Sequence, residues 1–158
     1  MNYWLLKTEP DTFGIDDLAK APGRTSSWEG VRNYQARNLL RDAIKLGDRA
    51  FIYHSSCPQP GIAGTARVVR AGYPDRTAFA AKDPHFDPGS DPRKPRWFTI
   101  DVQFEQRFER LVSLDELRRH ANKKLRGMVL LRTGNRLSVS PVDAAHWRFI
   151  LALSRAVT

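Results

Sequence analysis

The sequence predicts an α+β fold, a mixed and mostly antiparallel sheet or small barrel with helices around it. Three observations carry this. Residues 3–8, 49–54, 62–70 and 97–108 alternate in hydropathy and are rich in aromatic and β-branched types. Apolar positions at helical spacing follow recognisable cap residues at 33–46, after Ser113 and after Asp143. No internal repeat or low-complexity stretch interrupts the 158 residues.

Taken in order, Tyr3, Leu5 and Lys7 alternate with Trp4, Leu6 and Thr8, a strand buried on at least one face. Asp11, Thr12 and Gly14 then turn the chain into a short helical segment from Ile15 to Ala19. The spacing of Ala36, Leu39, Leu40, Ala43 and Ile44 predicts a helix over 33–46, with Gly47 as its left-handed cap. On that helix Arg37, Arg41 and Lys45 would line one exposed stripe.

Residues 49–54 and 62–70 read as antiparallel neighbours joined by the turn-forming run Ser55-Ser56-Cys57-Pro58-Gln59-Pro60-Gly61. Five prolines between 74 and 95 mark an ordered but irregular excursion. Trp97 to Phe108 returns to strand, with Phe98, Ile100, Val102 and Phe104 on one face. Ser113-Leu114-Asp115-Glu116 has the form of a capping box, opening a helix with Leu114, Leu117 and Ala121 inward. Ser140, Pro141 and Asp143 open a last helix with Val142, Ala145, Phe149 and Leu153 inward, while 125–132 is too short and too uniformly apolar to assign.

The length fits one compact domain over 1–158. A single cysteine, Cys57, rules out an internal disulfide, and no apolar stretch approaches membrane-spanning length, so a soluble protein of the cytoplasm, or of the nucleus in a eukaryote, is expected. The formal charge is +9, and such an excess favours polyanions through counterion release. It is also segregated: residues 121–136 hold Lys123, Lys124, Arg126, Arg132 and Arg136 with no acid, whereas 97–120 hold four bases against five acids. A basic run is often just a solvated face, but this one reads as meeting phosphate.

Trp28 is the most informative residue. It stands just before a basic helix start, Asn33-Tyr34-Gln35-Ala36-Arg37, so one junction offers an aromatic face, amide and hydroxyl groups and a cation. Those are the parts of a nucleobase pocket. Tryptophan is mostly buried, and a core role for Trp28 stands beside this reading. His54 and Ser55, at a strand end, fit binding better than catalysis, because adjacent strand residues face opposite ways and no acidic orienter is evident. The alternation Asp83, His85, Asp87 is explained by its prolines as turn chemistry, so no metal and no cofactor is expected. Arg37, Arg41, Arg132 and Arg136 are candidates for phosphate contacts.

Six separated motifs resemble one known family, the EVE domain: Trp4-Leu5-Leu6-Lys7-Thr8-Glu9-Pro10, Trp28 through Asn38, Phe51-Ile52-Tyr53-His54-Ser55, Gly61-Ile62-Ala63-Gly64, Lys94-Pro95-Arg96-Trp97 and Gly134 through Val139. The resemblance runs from about residue 3 to residue 150. It implies a PUA-like barrel related to the ASCH and YTH domains, which bind RNA or modified bases. By that resemblance Trp28 is a cage wall, Asn33 and Tyr34 lie beside it, and Lys7, Thr8 and Glu9 close the pocket. Trp97 would be the second aromatic wall and Leu131 an apolar floor.

Extracting a base from a duplex costs a few kcal/mol, and stacking on one aromatic returns about 1–3 kcal/mol, so two walls and edge hydrogen bonds are needed. A buried methyl adds only about 0.8 kcal/mol, which makes discrimination modest. The reading is a non-enzymatic module holding one modified base of DNA or RNA, with no membrane partner and no expectation about oligomeric state. Its rivals are an enzyme or enzyme accessory acting on nucleotides or modified RNA, and a module for peptides or metabolites.

Overall fold

Residues 1–156 are described by the computed structural model. Its centre is a six-stranded sheet built from β1 (Tyr3–Thr8), β2 (Thr25–Ser27), β3 (Arg49–His54), β4 (Gly61–Pro74), β5 (Phe98–Ser113) and β6 (Val139–Val142), in the order β2-β5-β4-β3-β1-β6. Only β1 and β3 run parallel, Tyr3 facing Arg49 and Thr8 facing His54; every other pair is antiparallel. The α+β, PUA-like class expected from the sequence holds. The sheet is open, with the three residues of β2 and the four of β6 at its edges. The β4–β5 pairing shifts register at four places, the irregularities that let long strands twist and curve.

Alternation along the strands feeds a core on each face. Trp4 and Leu6 of β1 and Ala50 and Ile52 of β3 enter one cluster with Ile15, Leu18, Trp28 and Ile100. Leu5, Phe51 and Tyr53 enter the other with Val112, Leu117, Trp147 and Ile150. The central strands are therefore buried on both sides, as their continuous apolar character requires.

Four helices flank the sheet: α1 (Ile15–Lys20), α2 (Tyr34–Asn38), α3 (Leu114–Arg119) and α4 (Ala144–Arg155). The helix expected over 33–46 is shorter. Asn33 caps α2 by accepting from the Ala36 amide, α2 passes into one π-helical turn over Leu39–Ala43, and Ile44 is already extended. The buried Asp48 carboxylate draws the chain away, accepting from the Lys45 amide and the Trp4 indole, each at 2.9 Å. Gly47 keeps its positive φ of 88° but serves the turn into β3, not a helix cap.

Two further expectations are corrected. Ser113 caps α3 as expected, but the Glu116 side chain turns to Arg110 at 2.6 Å instead of closing a box. In α4 His146, Trp147, Ile150 and Ser154 are buried and Phe149 and Leu153 pack half-buried against the same core, as expected, while Ala145 is exposed. Pro141 and Val142 pair with β1, so the helix starts at Ala144 and Val142 reaches the core from β6 instead. No helix among the described residues is long and apolar enough to cross a membrane.

Candidate nucleic-acid interface

Because β1 and β3 are parallel, their C-terminal ends emerge together, and the Ser55 amide donates to the Thr8 carbonyl at 2.9 Å. The Lys7 amide donates to Ser138 at 2.9 Å, which brings in the segment leading to β6. The loop after β2 completes the ring. A cavity of about 760 Å³ opens there, in the size range of small-ligand sites.

Trp28 forms part of its wall. The Trp28 amide extends the β2–β5 pairing by donating to Ile100 at 2.8 Å, which fixes the indole at the boundary of core and cavity. Trp28 is 7% exposed, so it is at once a core residue and a cavity wall. Phe13 meets it edge to face, ring centres 6.2 Å apart, and also lines the cavity. Its position is set by the turn after β1, where the Thr8 hydroxyl donates to the Phe13 carbonyl.

The loop behind Trp28 is fastened by Asp75. Its side chain has no exposed surface and accepts from the Gly30 amide at 2.9 Å, the Arg32 guanidinium at 3.1 Å and the Thr77 amide at 2.9 Å. Burial alone would raise the Asp75 carboxyl, but bonds from Thr77, Gly30 and Arg32 outweigh it and hold the group below its ordinary value. Arg32 also donates to the His85 carbonyl at 2.6 Å, pinning the proline-rich excursion against the cavity. Gly30 has φ +85°, and a Cβ there would run into the His85 imidazole.

Lys7, Thr8, Glu9 and Ser55 line the cavity together with Arg136 and Ser138. Burial pushes the Lys7 ammonium below its ordinary value. Lys7 lies over the Tyr53 ring at 5.9 Å and has no salt-bridge partner among the described residues. Its ammonium donors are thus uncommitted to any carboxylate. His54 does not line the cavity. Its Nε2 accepts from the Ile15 amide at 3.1 Å, and burial holds the imidazole below its ordinary value, so it is neutral and structurally employed.

Other residues singled out from the sequence lie elsewhere. Trp97 does not line the cavity: its indole donates to Asp87 at 2.6 Å and its face stacks on Tyr34 at 4.9 Å. That bond and the Gly89 amide hold the Asp87 carboxyl below its ordinary value. Half-exposed Tyr34 thus pairs with buried Trp97, and Arg32 lies over the Trp97 ring and Arg37 over the Tyr34 ring. Leu131 packs against the second core cluster. Asn33 lines a smaller neighbouring cavity of about 350 Å³ together with Arg132 and Arg136. Arg136 belongs to both cavities.

Among the four arginines expected to meet phosphate, Arg41 is held by Asp42 at 2.7 Å and Arg37 donates to the Arg96 carbonyl at 2.7 Å. Arg132 and Arg136 are exposed and form no ion pair among the described residues. Sequence reasoning missed Phe13, Arg32, Ser27 and His85 as cavity residues. Arg32 sat within the Trp28 motif and could have been added; Phe13 carried no local signal beyond its place after a turn.

An open, mostly antiparallel sheet with helices around it and one basic, aromatic-walled cavity at the ends of its two parallel strands defines a PUA-like protein. The model of the EVE domain matches residues 2–153. Rat thymocyte nuclear protein 1 is 46% identical, the alignment covering 98% of this chain and 74% of the relative. A crystal structure of a Pseudomonas putida protein superposes with a TM-score of 0.91 at 47% identity, over 96% of this chain and 99% of that one. Human THYN1, solved in complex with DNA containing 5-methylcytosine, superposes with a TM-score of 0.95 at 41% identity over 100% of both chains. This chain belongs to the EVE domain family.

Proposed function

We propose that this protein is a non-catalytic reader of DNA that holds one modified base in the cavity beside Trp28 and Phe13 while Arg132 and Arg136 grip the backbone. The observation that carries the reading is the cavity itself: two aromatic walls, the uncommitted Lys7 ammonium, Glu9 and Ser55 at one end, and Arg136 at the rim. Stacking returns about 1–3 kcal/mol per base, so Phe13 together with Trp28 offsets the few kcal/mol of extrusion where one ring would only break even. Lys7 and the serines supply donors for base acceptors, and the carboxylates of Glu9 and Glu29 supply acceptors for an exocyclic amine.

The similarity to human THYN1, which was solved with 5-methylcytosine DNA, favours DNA over RNA and a modified pyrimidine over other bases. The employment of His54 as an acceptor for the Ile15 amide leaves Ser55 without an activating base and supports binding over catalysis. Oligonucleotides with and without a single modified cytosine, titrated into wild type, Phe13→Ala and Trp97→Phe, test the reading. Phe13→Ala should erase most of the preference for the modified strand, and Trp97→Phe should keep it. A preference that survives Phe13→Ala and disappears in Trp97→Phe would move the base out of this cavity.

A further inference from the structure

The smaller cavity beside the base cavity is lined by Asn33, Gln35, Arg132, Thr133, Asn135 and Arg136 among others, and no acid lines it. Two of these are exposed arginines with no carboxylate partner. Asn135 adds a sharper feature. Its Oδ1 accepts from the Leu137 amide at 3.2 Å, fixing the side chain, while its Nδ2 is buried and has no hydrogen-bond partner. A buried donor left unmatched is costly, and here, at a cavity lined by two unpaired arginines, it is a donor to be matched by an incoming acceptor.

Chemistry narrows what that partner is. An orphan amide donor on a loop that carries two unpaired guanidinium groups, beside a cavity lined by no carboxylate, matches an oxyanion with several acceptor oxygens. The loop carrying these groups is anchored at both ends: the Arg132 amide donates to Val129 at 3.1 Å, and Ser138 accepts from the Lys7 amide at 2.9 Å. Gly134 sits between them with φ +76° and open space where a Cβ would be, so the backbone too is accessible there. Since Arg136 lines both cavities, an oxyanion in the smaller one adjoins whatever occupies the larger.

We infer that the Arg132–Arg136 loop is a built site for one backbone phosphodiester, the one next to the inserted nucleotide, with Asn135 Nδ2 and the guanidinium groups of Arg132 and Arg136 as its donors. That this phosphate adjoins the inserted nucleotide rests on the proposed base reading; the anion site itself does not. It makes the protein register one nucleotide and its neighbouring phosphate together, not a base on a loosely held strand. The two arginines then differ from the general basic surface: their contact is with a single, countable phosphate.

The test is a phosphate walk. Single-stranded DNA carrying one modified cytosine is made with a neutral methylphosphonate at each flanking linkage in turn, and each strand is titrated into wild type and Asn135→Asp. Aspartate keeps the acceptor for the Leu137 amide, so the loop stays folded, but it replaces the orphan donor with an anion. Wild type should lose affinity about tenfold at one linkage and little at the others, the size of one charge-assisted hydrogen-bond set. Asn135→Asp should weaken the all-phosphodiester strand and leave the strand neutral at that linkage unchanged. Arg132→Gln should show the same pattern at the same linkage.

Uniform small losses at every linkage, or an Asn135→Asp effect that is the same with and without the charge, would overturn the inference. The same walk on a strand with plain cytosine separates the two readings. A single sensitive linkage without preference for the modified base leaves the phosphate site standing while the base reading falls.

Discussion

Arg32 reaches the fully enclosed Asp75 carboxylate at 3.1 Å and the His85 carbonyl at 2.6 Å with the same guanidinium. This one ion pair joins the loop after Trp28 to the segment between β4 and β5, two stretches more than forty residues apart. The cavity wall therefore depends on an ion pair between a lining residue, Arg32, and the enclosed carboxylate of Asp75 behind it.

Replacing Asp75 by Ala strands Arg32 and leaves the Gly30 and Thr77 amides without an acceptor. Breaking a buried pair costs about 3–5 kcal/mol, and the quarter exposure of Arg32 places this case near the lower end. The denaturation midpoint should fall accordingly with the m-value unchanged. Because the Asp75 carboxyl lies below its ordinary value of 3.8, the fold favours the anion. Its stabilisation is complete above that value and is lost as pH falls through the lower folded value. Asp75→Asn should lack this part of the acid sensitivity, which urea titrations across that range would reveal.

At His54 the fold favours the neutral form instead of the charged one. Burial holds the imidazole below 6.5, and its Nε2 must stay unprotonated to accept from Ile15. Between the lower folded value and 6.5 the unfolded chain binds the extra proton, so stability should decline as pH drops through this window. His54→Gln keeps an acceptor near the Ile15 amide and should flatten that slope; His54→Ala leaves the amide unmatched, at about 1–3 kcal/mol. A slope unchanged in His54→Gln would contradict the assignment.

Gly30→Ala confronts both backbone and space. A non-glycine residue at φ +85° costs about 1–3 kcal/mol, and the new methyl meets the His85 imidazole. We expect a lower melting temperature and faster amide exchange at Gly30 and Arg32. Gly127→Ala, with positive φ but open space around the new Cβ, should show the backbone penalty alone.

Much of the fold was legible because its signals are local. The alternation of Tyr3 to Thr8, the Ser113 cap and the proline-rich excursion each declare themselves within a few residues. The start of α4 was not, because Pro141 and Val142, which read as a helix start, are taken by pairing with β1. The site divides the same way. Lys7, Thr8, Glu9 and Ser55 come together because two parallel strands end side by side. Which aromatic faces the cavity is decided by long-range contacts: the Trp28 amide bond to Ile100 places one ring, and the Asp87 bond draws Trp97 away. Neither leaves a trace in the spacing of residues.

The four indole groups offer the most direct test of where the base goes. In a titration of the isotope-labelled protein with a strand carrying one modified cytosine, followed by the indole N–H resonances of Trp4, Trp28, Trp97 and Trp147, the account predicts a large ring-current shift for Trp28. The Trp4 signal, tied to Asp48, and the Trp147 signal, in the opposite core, should stay in place. A saturating titration that moves Trp97 and leaves Trp28 where it began would contradict it.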